Sequence, residues 1–417
     1  MNICVSPSSL HGSVSAIPSK SDAHRLLICA ALSDTPTRIF LPSSSDDIEA
    51  TCRCLSALGA EITKENDYLN IYPIKEVPAD PLLDCGESGS TLRFLLPVAA
   101  AICPRASFLG RGRLPERPLG ELTKVMEAHG VCFSSPKLPF TVSGKLTCGK
   151  YVIPGNVSSQ YITGLLLALC AIEGESEIEL SSELESAAYI DITLHALSRF
   201  GIKTEKTKLG WKIPETKNFS SPETLTVDGD WSNAAFLLSA GALGHMVTLS
   251  GLDMSSPQGD KAILSVLENF GANIATENEK ITVLPSVLRG CTVDARPIPD
   301  LIPILAVVAA CAEGTTRFVN AARLRLKESD RLATTAAMLK NLGISVTEKF
   351  DELIVEGGKL TGGCVNGAND HRIVMAASIA ATLASDNVTI TDSEAVKKSY
   401  PAFFDTLKSL GGIFHGI

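Results

Sequence analysis

The chain has 417 residues, of which 45% are hydrophobic and 20% charged, and its formal net charge is −9. This composition is typical of a well-buried globular protein of two or three domains, and the acidic charge argues against a general binder of nucleic acid or of membrane surfaces. The sequence has no apolar run that would span a bilayer and no recognisable secretory signal, so we expect a cytoplasmic protein.

The twelve cysteines are scattered along the chain. Only Cys52 and Cys54 lie close together, and no second pair follows at the spacing of a zinc ribbon. We therefore expect free thiols in a reducing compartment and no metal site.

Six segments share one pattern, in which a strand-like run meets a polar loop and then a helix rich in Ala and Leu. The second helix of each repeat ends at a glycine, as helices commonly do. The first helix is apolar on nearly every face and is predicted to be buried, whereas the second is striped and is predicted to lie outside. The sequence thus predicts a βαβαββ unit repeated six times, with first helices that begin at Ser19, Ser88, Ser158, Ser232, Asp300 and Asp370.

The first two loops combine basic or glycine residues with a helix start. In IPSKSDAHRLL, Lys20 and Ser21 precede the predicted helix and Arg25 lies one turn inside it. In DCGESGSTLRF, Gly89 begins the helix and Arg93 follows one turn later. Free N–H groups at a helix start and nearby cations favour an anion, although a solvated helix start is the more common structure for such a string.

The next loops carry residues that are also ordinary turn and capping residues. Arg117 lies in the proline-rich stretch GRGRLPERPLG. PGNVSSQYITG places serines and an amide at a helix start, where Ser and Asn are usual N-caps. The polar residues of these loops and of SAAYIDITL are Ser158, Ser159, Gln160, Ser186 and Tyr189.

The last three loops add carboxylates and further cations. Asp300 in PIPDLIP is predicted to stand at a helix start, where capping alone would explain a carboxylate. In RLRLKESDRL, Lys327 and Arg331 are four residues apart and would project from one helix face with Glu328 beside them, although such a run is usually a solvated face. NDHRIVM supplies Arg372, and AVKKSYP supplies Lys398.

Eight cations therefore lie at equivalent loops of an acidic protein, which a site for two anionic substrates would explain. They are Lys20, Arg25, Arg93, Arg117, Lys327, Arg331, Arg372 and Lys398.

The six units and the strings KSDxxxR and KESDR resemble the enolpyruvyl transferase family, in particular its branch that acts on shikimate-3-phosphate. The resemblance implies an α/β protein, a two-lobed inside-out α/β barrel with three βαβαββ units in each lobe. It implies a first lobe of residues 1–14 and 229–417, a second lobe of residues 15–228, and an active site in the cleft between them.

The implied reaction transfers the carboxyvinyl group of phosphoenolpyruvate to the 5-hydroxyl of shikimate-3-phosphate and releases phosphate. Asp300 would accept the hydroxyl proton, Glu328 would protonate the methylene carbon, and Lys20 would assist at the phosphate. The resemblance implies these two small-molecule substrates, no cofactor, no nucleic-acid or membrane partner, and a monomer.

By the same resemblance, most of the loop residues above bind one of the two substrates. The implied ligands of shikimate-3-phosphate are Lys20, Ser21, Arg25, Ser158, Ser159, Gln160, Ser186, Tyr189, Asp300 and Lys327. The implied ligands of phosphoenolpyruvate are Lys20, Gly89, Arg117, Gln160, Arg331, Arg372 and Lys398.

Two residues depart from the family pattern. The sequence also leaves two alternative functions open. Glu87 stands where many members have asparagine, and Arg323 has no role that the resemblance supplies. An enzyme that acts on UDP-N-acetylglucosamine has the same fold but would have a reactive cysteine in the loop that here reads GRGRLPERPLG. The other alternative is a non-catalytic anion-binding homologue.

Overall fold

A computed structural model describes residues 1–215 and 218–417 of the chain. The described residues form six four-stranded sheets and twelve α-helices, which confirms the predicted α/β class and the six units. The helices are α1 Lys20–Ala31, α2 Asp46–Ala57, α3 Gly89–Ile102, α4 Gly120–Glu127, α5 Ser159–Leu169, α6 Ala188–Arg199, α7 Trp231–Ala242, α8 Ile263–Asn269, α9 Ile302–Ala310, α10 Arg331–Asn341, α11 His371–Leu383 and α12 Phe403–Ser409. Short 3-10 helices span Leu114–Glu116, Gly259–Ala262, Pro299–Leu301, Ala322–Leu326 and Ser393–Lys398.

The strands are short, as expected for sheets that each serve one repeat. They are β1 Ile3–Ser6, β2 His11–Ser15, β3 Thr37–Phe40, β4 Glu61–Glu65, β5 Tyr68–Tyr72, β6 Leu82–Asp84, β7 Arg105–Leu109, β8 Val131–Phe133, β9 Phe140–Gly144, β10 Lys150–Ile153, β11 Ser176–Leu180, β12 Glu205–Lys206, β13 Gly210–Ile213, β14 Thr224–Thr226, β15 Met246–Ser250, β16 Asn273–Glu277, β17 Lys280–Leu284, β18 Thr292–Asp294, β19 Thr315–Val319, β20 Val346–Glu348, β21 Leu353–Glu356, β22 Gly363–Val365, β23 Val388–Ile390 and β24 Ile413–Gly416.

The chain folds into two compact units. The continuous unit is Pro18–Val227, and the discontinuous unit joins Met1–Ile17 to Asp228–Ile417. Each unit contains three sheets and has its own apolar core.

All six sheets have one strand order. In the sheet β6-β7-β9-β8, β6 is parallel to β7. β9, the fourth strand of the repeat in chain order, lies between β7 and β8 and is antiparallel to both. Parallel neighbours need a crossover, and the first helix of the unit supplies it.

Three sheets borrow a strand from a distant part of the sequence. β2 precedes α1 but pairs with β15, and β14 precedes α7 but pairs with β3. β1 takes the fourth-strand position between β23 and β24. These three strands therefore pair outside the repeat to which their sequence position assigns them.

The predicted difference between first and second helices is confirmed. All nine residues of α9 are buried, whereas α10, the second helix of the same repeat, buries six of its eleven. The glycine that follows each second helix has a positive φ, between 78° and 107°, which allows the chain to reverse without a Cβ clash. These glycines are Gly59, Gly130, Gly201, Gly271, Gly343 and Gly411.

Two of the predicted helix starts differ in detail. α7 is capped by Asp230, so Ser232 lies inside its first turn. Asp300 lies in a 3-10 turn before α9, and no side chain caps that helix. In the described residues, no helix is both long and apolar enough to cross a membrane.

Candidate functional site

In the continuous unit, three buried helices begin with the same cap. The hydroxyls of Ser19, Ser88 and Ser158 each accept a hydrogen bond from a backbone N–H in the first turn of α1, α3 and α5. α1 begins at Lys20, so Lys20 and Ser21 belong to its first turn and do not precede the helix as predicted.

Lys20 is held by a carboxylate that the sequence analysis did not single out. Its Nζ lies 2.8 Å from Oδ2 of Asp47, in the first turn of α2, and both side chains are at most 15% exposed. Asp47 lies in the second polar loop of the first repeat. Its position is equivalent to the loops that carry Arg117 and Ser186, and this equivalence was the signal that would have identified it.

Gly89 lies against two guanidinium groups. A Cβ added at this residue would be 2.5 Å from Nη1 of Arg117 and 2.9 Å from Nη1 of Arg93. The absence of a side chain at the start of α3 therefore lets both cations approach a helix N-terminus, whose free N–H groups also favour an anion.

Arg93 and Gln160 connect α3 to α5. Nη1 of Arg93 donates to Oε1 of Gln160 at 2.7 Å, and Nε2 of Gln160 donates to the Ser90 hydroxyl at 2.9 Å. Arg93 is 4% exposed. We call Lys20, Asp47, Arg93, Arg117 and Gln160, with Gly89 among them, the Gly89 cluster.

Arg25 is a buried guanidinium that donates only to neutral oxygens among its contacts in the described residues. Nε donates to the Thr193 hydroxyl at 2.8 Å, Nη2 to the Tyr189 carbonyl at 2.9 Å, and Nη1 to the Ser21 carbonyl at 2.5 Å. Burial lowers the pKa of Arg25 to about 10, an effect that the nearby charge of Asp22 opposes. A buried cation without a hydrogen-bonded carboxylate can provide charge to an anionic ligand.

Two more predicted ligands lie at the start of α6, and one of them has an uncommon backbone conformation. Ser186 is 5% exposed and has φ of 56°, which is unusual for a non-glycine residue and more frequent at functional sites. Tyr189 lies in the first turn of α6, and its carbonyl accepts the hydrogen bond from Arg25. Ser159 is also buried, whereas Ser21 and Ser158 are half-buried.

A chain of buried hydrogen bonds lies behind these helix starts. His24 Nδ1 is 2.7 Å from the Thr51 hydroxyl, which is 2.7 Å from the Thr91 hydroxyl, which donates to the Ser88 hydroxyl at 2.7 Å. All four residues are at most 1% exposed. Because Ser88 caps α3, this chain links the packing of α1 and α2 to the helix start that carries Gly89.

Glu87 lies against the loop that contains Arg117. A Cβ on Gly112 would be 2.6 Å from the carboxyl carbon of Glu87, and Gly112 has φ of 56°. The Glu87 carboxylate, which departs from the family pattern, therefore fits beside Gly112 because that residue has no side chain.

In the discontinuous unit, the centre of the polar cluster is Arg331, the first residue of α10. Nη1 lies 2.8 Å from Asp300, Nη2 lies 2.6 Å from Glu328, and Nε lies 2.9 Å from Asp370. Burial alone would lower the pKa of Arg331, but the charges of these three carboxylates raise it above its ordinary value.

Asp300 contacts two further cations. Lys327 Nζ is 3.1 Å away, and Nη2 of Arg372 is 3.4 Å away. Burial lowers the pKa of Lys327, although the charge of Asp300 opposes the effect. We call these six residues the Arg331 cluster, namely Asp300, Lys327, Glu328, Arg331, Asp370 and Arg372.

The cluster does not form in the way that the sequence predicted. Lys327 has an extended backbone after a 3-10 helix, whereas Arg331 begins α10, so the two do not share a helix face. They come together because both reach Asp300. The capping role considered for Asp300 is also wrong, since its side chain binds cations and caps no helix.

Two buried aspartates complete the surroundings, and neither was assigned to the site from the sequence, although Asp370 was predicted to begin a helix. Asp370 caps α11 and is fully buried, and although burial raises its pKa, the charge of Arg331 lowers it below the ordinary value. Asp260 accepts a hydrogen bond from Ser232, and burial together with the charge of Asp300 raises its pKa to about 6. Asp260 occupies the second loop of the fourth repeat, so the repeat pattern was again the available signal.

Lys398 is positioned by the loop that precedes α11. Its Nζ donates to the Asn369 carbonyl at 2.7 Å, and the Asn369 N–H donates to Asp392. Ala368 and Asn369 in this loop, and Asp392 before the 3-10 helix that ends at Lys398, all have φ near 50°, a conformation that residues with side chains rarely adopt.

The remaining arginines of RLRLKESDRL differ in role. Arg325 pairs with Asp330 and Glu348 and donates to two backbone carbonyls, so it fastens the loop to the β20–β21 hairpin. Arg323 is half-buried in the 3-10 helix that precedes Lys327. In the residues that the structure describes, no group of three His, Cys, Asp or Glu side chains is arranged to hold a metal ion.

Comparison with known proteins gives a consistent result. The family model described as EPSP synthase (3-phosphoshikimate 1-carboxyvinyltransferase) matches residues 5–407. A 3-phosphoshikimate 1-carboxyvinyltransferase from Clostridium kluyveri is 42% identical, over 98% of this chain and 97% of the relative. One from Clostridium acetobutylicum is 43% identical, over 99% and 97%.

Solved structures agree. EPSP synthase from Acinetobacter baumannii superposes with a TM-score of 0.83 at 26% identity and covers 100% of both chains. The enolpyruvyl transferase NikO from Streptomyces tendae superposes with a TM-score of 0.79 at 18% identity, over 99% of this chain and 98% of that one. At this identity the comparison shows a shared fold.

Proposed function

The chain belongs to the EPSP synthase family, and we propose from this premise which of its residues carry out the reaction and how. The reaction transfers the carboxyvinyl group of phosphoenolpyruvate to the 5-hydroxyl of shikimate-3-phosphate and releases phosphate, which is a step of the shikimate pathway. The chain is thus an enzyme, a transferase with two small-molecule substrates.

The observation that carries the residue assignment is the surroundings of Asp300. Its carboxylate lies within 3.4 Å of Lys327, Arg331 and Arg372. Three cations keep Asp300 ionised, which leaves it without a proton but also weakens it as a base, and they form a site at which a phosphate or carboxylate can bind. In this proposal Asp300 becomes the proton acceptor when the negative charges of the substrates compete for these cations. A helix cap alone would not assemble three cations.

We assign the proton transfers as follows. Asp300 accepts the proton of the attacking 5-hydroxyl as its oxygen bonds to C2 of phosphoenolpyruvate, while Glu328 gives a proton to the methylene carbon. The tetrahedral adduct then loses phosphate as the bond between C2 and the phosphate oxygen breaks, and the proton held by Asp300 leaves with the phosphate. Glu328 takes a proton from the new methyl group. Lys20 stabilises the departing phosphate.

Glu328 needs a proton before it can act as an acid, and its contact with Arg331 at 2.6 Å favours the carboxylate. When phosphoenolpyruvate binds, its negative charges compete for Arg331. We propose that this competition loosens the ion pair and lets Glu328 take up its proton.

Both clusters contribute to substrate binding in this proposal. We assign shikimate-3-phosphate to Lys20, Ser21, Arg25, Ser158, Ser159, Gln160, Ser186, Tyr189, Asp300 and Lys327. We assign phosphoenolpyruvate to Lys20, Gly89, Arg117, Gln160, Arg331, Arg372 and Lys398. Gly89 serves by leaving room for the two arginines beside it.

We further propose that residues 1–14 with 229–417 and residues 15–228 act as the two catalytic lobes, and that each supplies residues to the same substrates. One chain then contains every assigned residue, which supports a monomeric enzyme; size-exclusion chromatography with light scattering tests this. The twelve cysteines are all free, which supports a reducing compartment such as the cytoplasm.

The test is phosphate release by the purified protein from phosphoenolpyruvate, with and without shikimate-3-phosphate. We expect release only with both. Glu328→Gln keeps the size of the side chain but removes the acid, and general acid–base catalysis contributes about 10²–10⁴-fold. We therefore expect kcat to fall by at least about a hundredfold.

Glu348→Gln is the matched control, because Glu348 also pairs with an arginine, Arg325, but lies outside the cluster. It should keep nearly full kcat. Absence of release with both substrates would contradict the proposed function. Release that depends instead on UDP-N-acetylglucosamine would assign the alternative acceptor.

A further inference from the structure

His24 is a buried histidine that the proposed mechanism does not use. It lies in α1, one turn beyond Lys20, and its side chain is fully buried. Nδ1 of the ring lies 2.7 Å from the Thr51 hydroxyl, and Nε2 has no hydrogen-bond partner in the described residues. Burial, together with the charges of Lys20 and Arg25, lowers the pKa of His24 well below its ordinary value, so the ring is neutral.

The far end of the hydrogen-bond chain determines its direction. The Thr91 hydroxyl has one hydrogen, which it shares between the Ser88 hydroxyl at 2.7 Å and the Asp47 carbonyl at 3.3 Å. A carbonyl can only accept, so Thr91 has no hydrogen left for Thr51 and must accept from it. Thr51 accepts in turn from His24, and the neutral ring therefore carries its proton on Nδ1.

The two acceptors at this end hold groups of the Gly89 cluster. The Asp47 side chain binds Lys20 at 2.8 Å, and the Ser88 hydroxyl caps α3 directly before Gly89. The chain therefore leaves α1 at His24, passes through α2 and α3, and returns to α1 through the ion pair of Lys20. Its three hydroxyls are at most 1% exposed, so solvent does not supply a partner when one member is removed.

We propose that His24 is a positioning residue for phosphoenolpyruvate. By donating from Nδ1, it holds the starts of α2 and α3 at the spacing that brings Lys20 and Gly89 to the same anion. This role rests on the proposed function, which assigns phosphoenolpyruvate to residues of the Gly89 cluster. His24 acts through these residues and not by contact with the substrate, since its ring is closed off from solvent.

Two variants of the same shape separate the hydrogen bond from the space that the ring fills. In His24→Asn the amide nitrogen takes the place of Nδ1 and can donate to Thr51, whereas His24→Leu has nearly the same shape and no donor. Because small displacements of positioning groups are costly, we expect His24→Leu to raise KM for phosphoenolpyruvate by at least about fivefold and His24→Asn to stay within about twofold of wild type. Both variants leave a cavity, so both should lower the melting temperature.

Two comparisons separate positioning from a general loss of structure. In His24→Leu, KM for shikimate-3-phosphate should change by less than about twofold, because most of the residues assigned to that substrate lie outside the Gly89 cluster. His245→Leu is the matched control, since His245 is also buried, its pKa is lowered by burial to about 4, and it lies in the discontinuous unit. This control should lower the melting temperature and leave both KM values unchanged.

NMR of isotope-labelled histidine side chains tests the donor directly, without an assay of activity. At about pH 7 the ring of His24 should carry its proton on Nδ1, and its signal is identified by its absence from His24→Asn. A proton on Nε2 alone, or on both nitrogens, would overturn the direction of the chain and with it the role of His24.

Equal KM values for phosphoenolpyruvate in His24→Asn and His24→Leu would overturn the proposal, whether both rise or neither does. An equal rise in KM for the two substrates in His24→Leu would also overturn it. If that variant does not fold, Thr51→Val against Thr51→Ser makes the same comparison at the acceptor of the hydrogen bond. The proposed function is tested by phosphate release from the wild type, so its failure is distinguishable from that of the variants.

Discussion

Gly89→Ala tests whether the space at the start of α3 is required by the arginines around it. The added Cβ would lie 2.5 Å from Nη1 and 2.9 Å from Cζ of Arg117, and 2.9 Å from Nη1 of Arg93. Nonbonded heavy atoms prefer separations of about 3.5 Å or more, so the Arg117 guanidinium must retreat by about 1 Å. The atoms met are ends of flexible side chains, and the fold itself should tolerate the change.

The displaced guanidinium should lose one charge-assisted hydrogen bond to phosphoenolpyruvate, which contributes about 1.5–3 kcal/mol. Each 1.4 kcal/mol corresponds to about tenfold, so we expect KM for phosphoenolpyruvate to rise by about tenfold to a hundredfold. Because this contact exists before and during the reaction, kcat should change less.

Steady-state phosphate release at varied phosphoenolpyruvate measures both constants. Gly120→Ala is the control, because Gly120 also begins a helix, α4, and an added Cβ there meets nothing within 4 Å. An unchanged KM in Gly89→Ala, or an equal rise in Gly120→Ala, would refute the reasoning.

Three further predictions concern buried polar groups. Arg331→Lys cannot contact all three of its carboxylates, so we expect kcat to fall by at least about tenfold and the melting temperature to decrease; an unchanged kcat would contradict the central role of Arg331. Burial lowers the pKa of His245 from 6.5 to about 4, so its contribution to folding is complete above pH 6.5 and should decline by about 2 kcal/mol as the pH falls to about 5. Urea unfolding should show a smaller decline in His245→Gln, whose amide can make both hydrogen bonds of the ring, and an identical decline would exclude this residue as the cause. Thr51→Val leaves His24 and Thr91 without their shared partner and should cost about 1–3 kcal/mol of unfolding free energy, whereas Thr51→Ser should recover most of it.

The repeat was predictable because its signals are local. A glycine after each second helix and a polar loop before each apolar helix recur in the sequence, and the structure gives all six glycines the expected positive φ. Strand pairing is not local, so the repeat pattern by itself did not indicate that β2 and β14 pair with strands outside their own repeats. Each of the two strands forms its hydrogen bonds with a strand that is far away in the sequence.

The candidate site, like the fold, was predictable from the sequence only in part. The cations at the loops were identified from their equivalent positions, but their partners were not, since Asp47, Asp260 and Asp370 are common helix-start residues in sequence. The helical spacing proposed for Lys327 and Arg331 was wrong, although both residues do belong to one cluster. Asp300 brings them together from different elements, and only the tertiary structure contains that information.

The position of β1 affects the order in which the protein can assemble during synthesis. The continuous unit is complete once Val227 has left the ribosome, so it can fold while the rest of the chain is still being made. Ile3 pairs with Ile390 and Gly416, and neither residue exists at that stage. β1 is therefore synthesised before the continuous unit but can pair only after β23 and β24 have been made, and until then its two edges are unpaired.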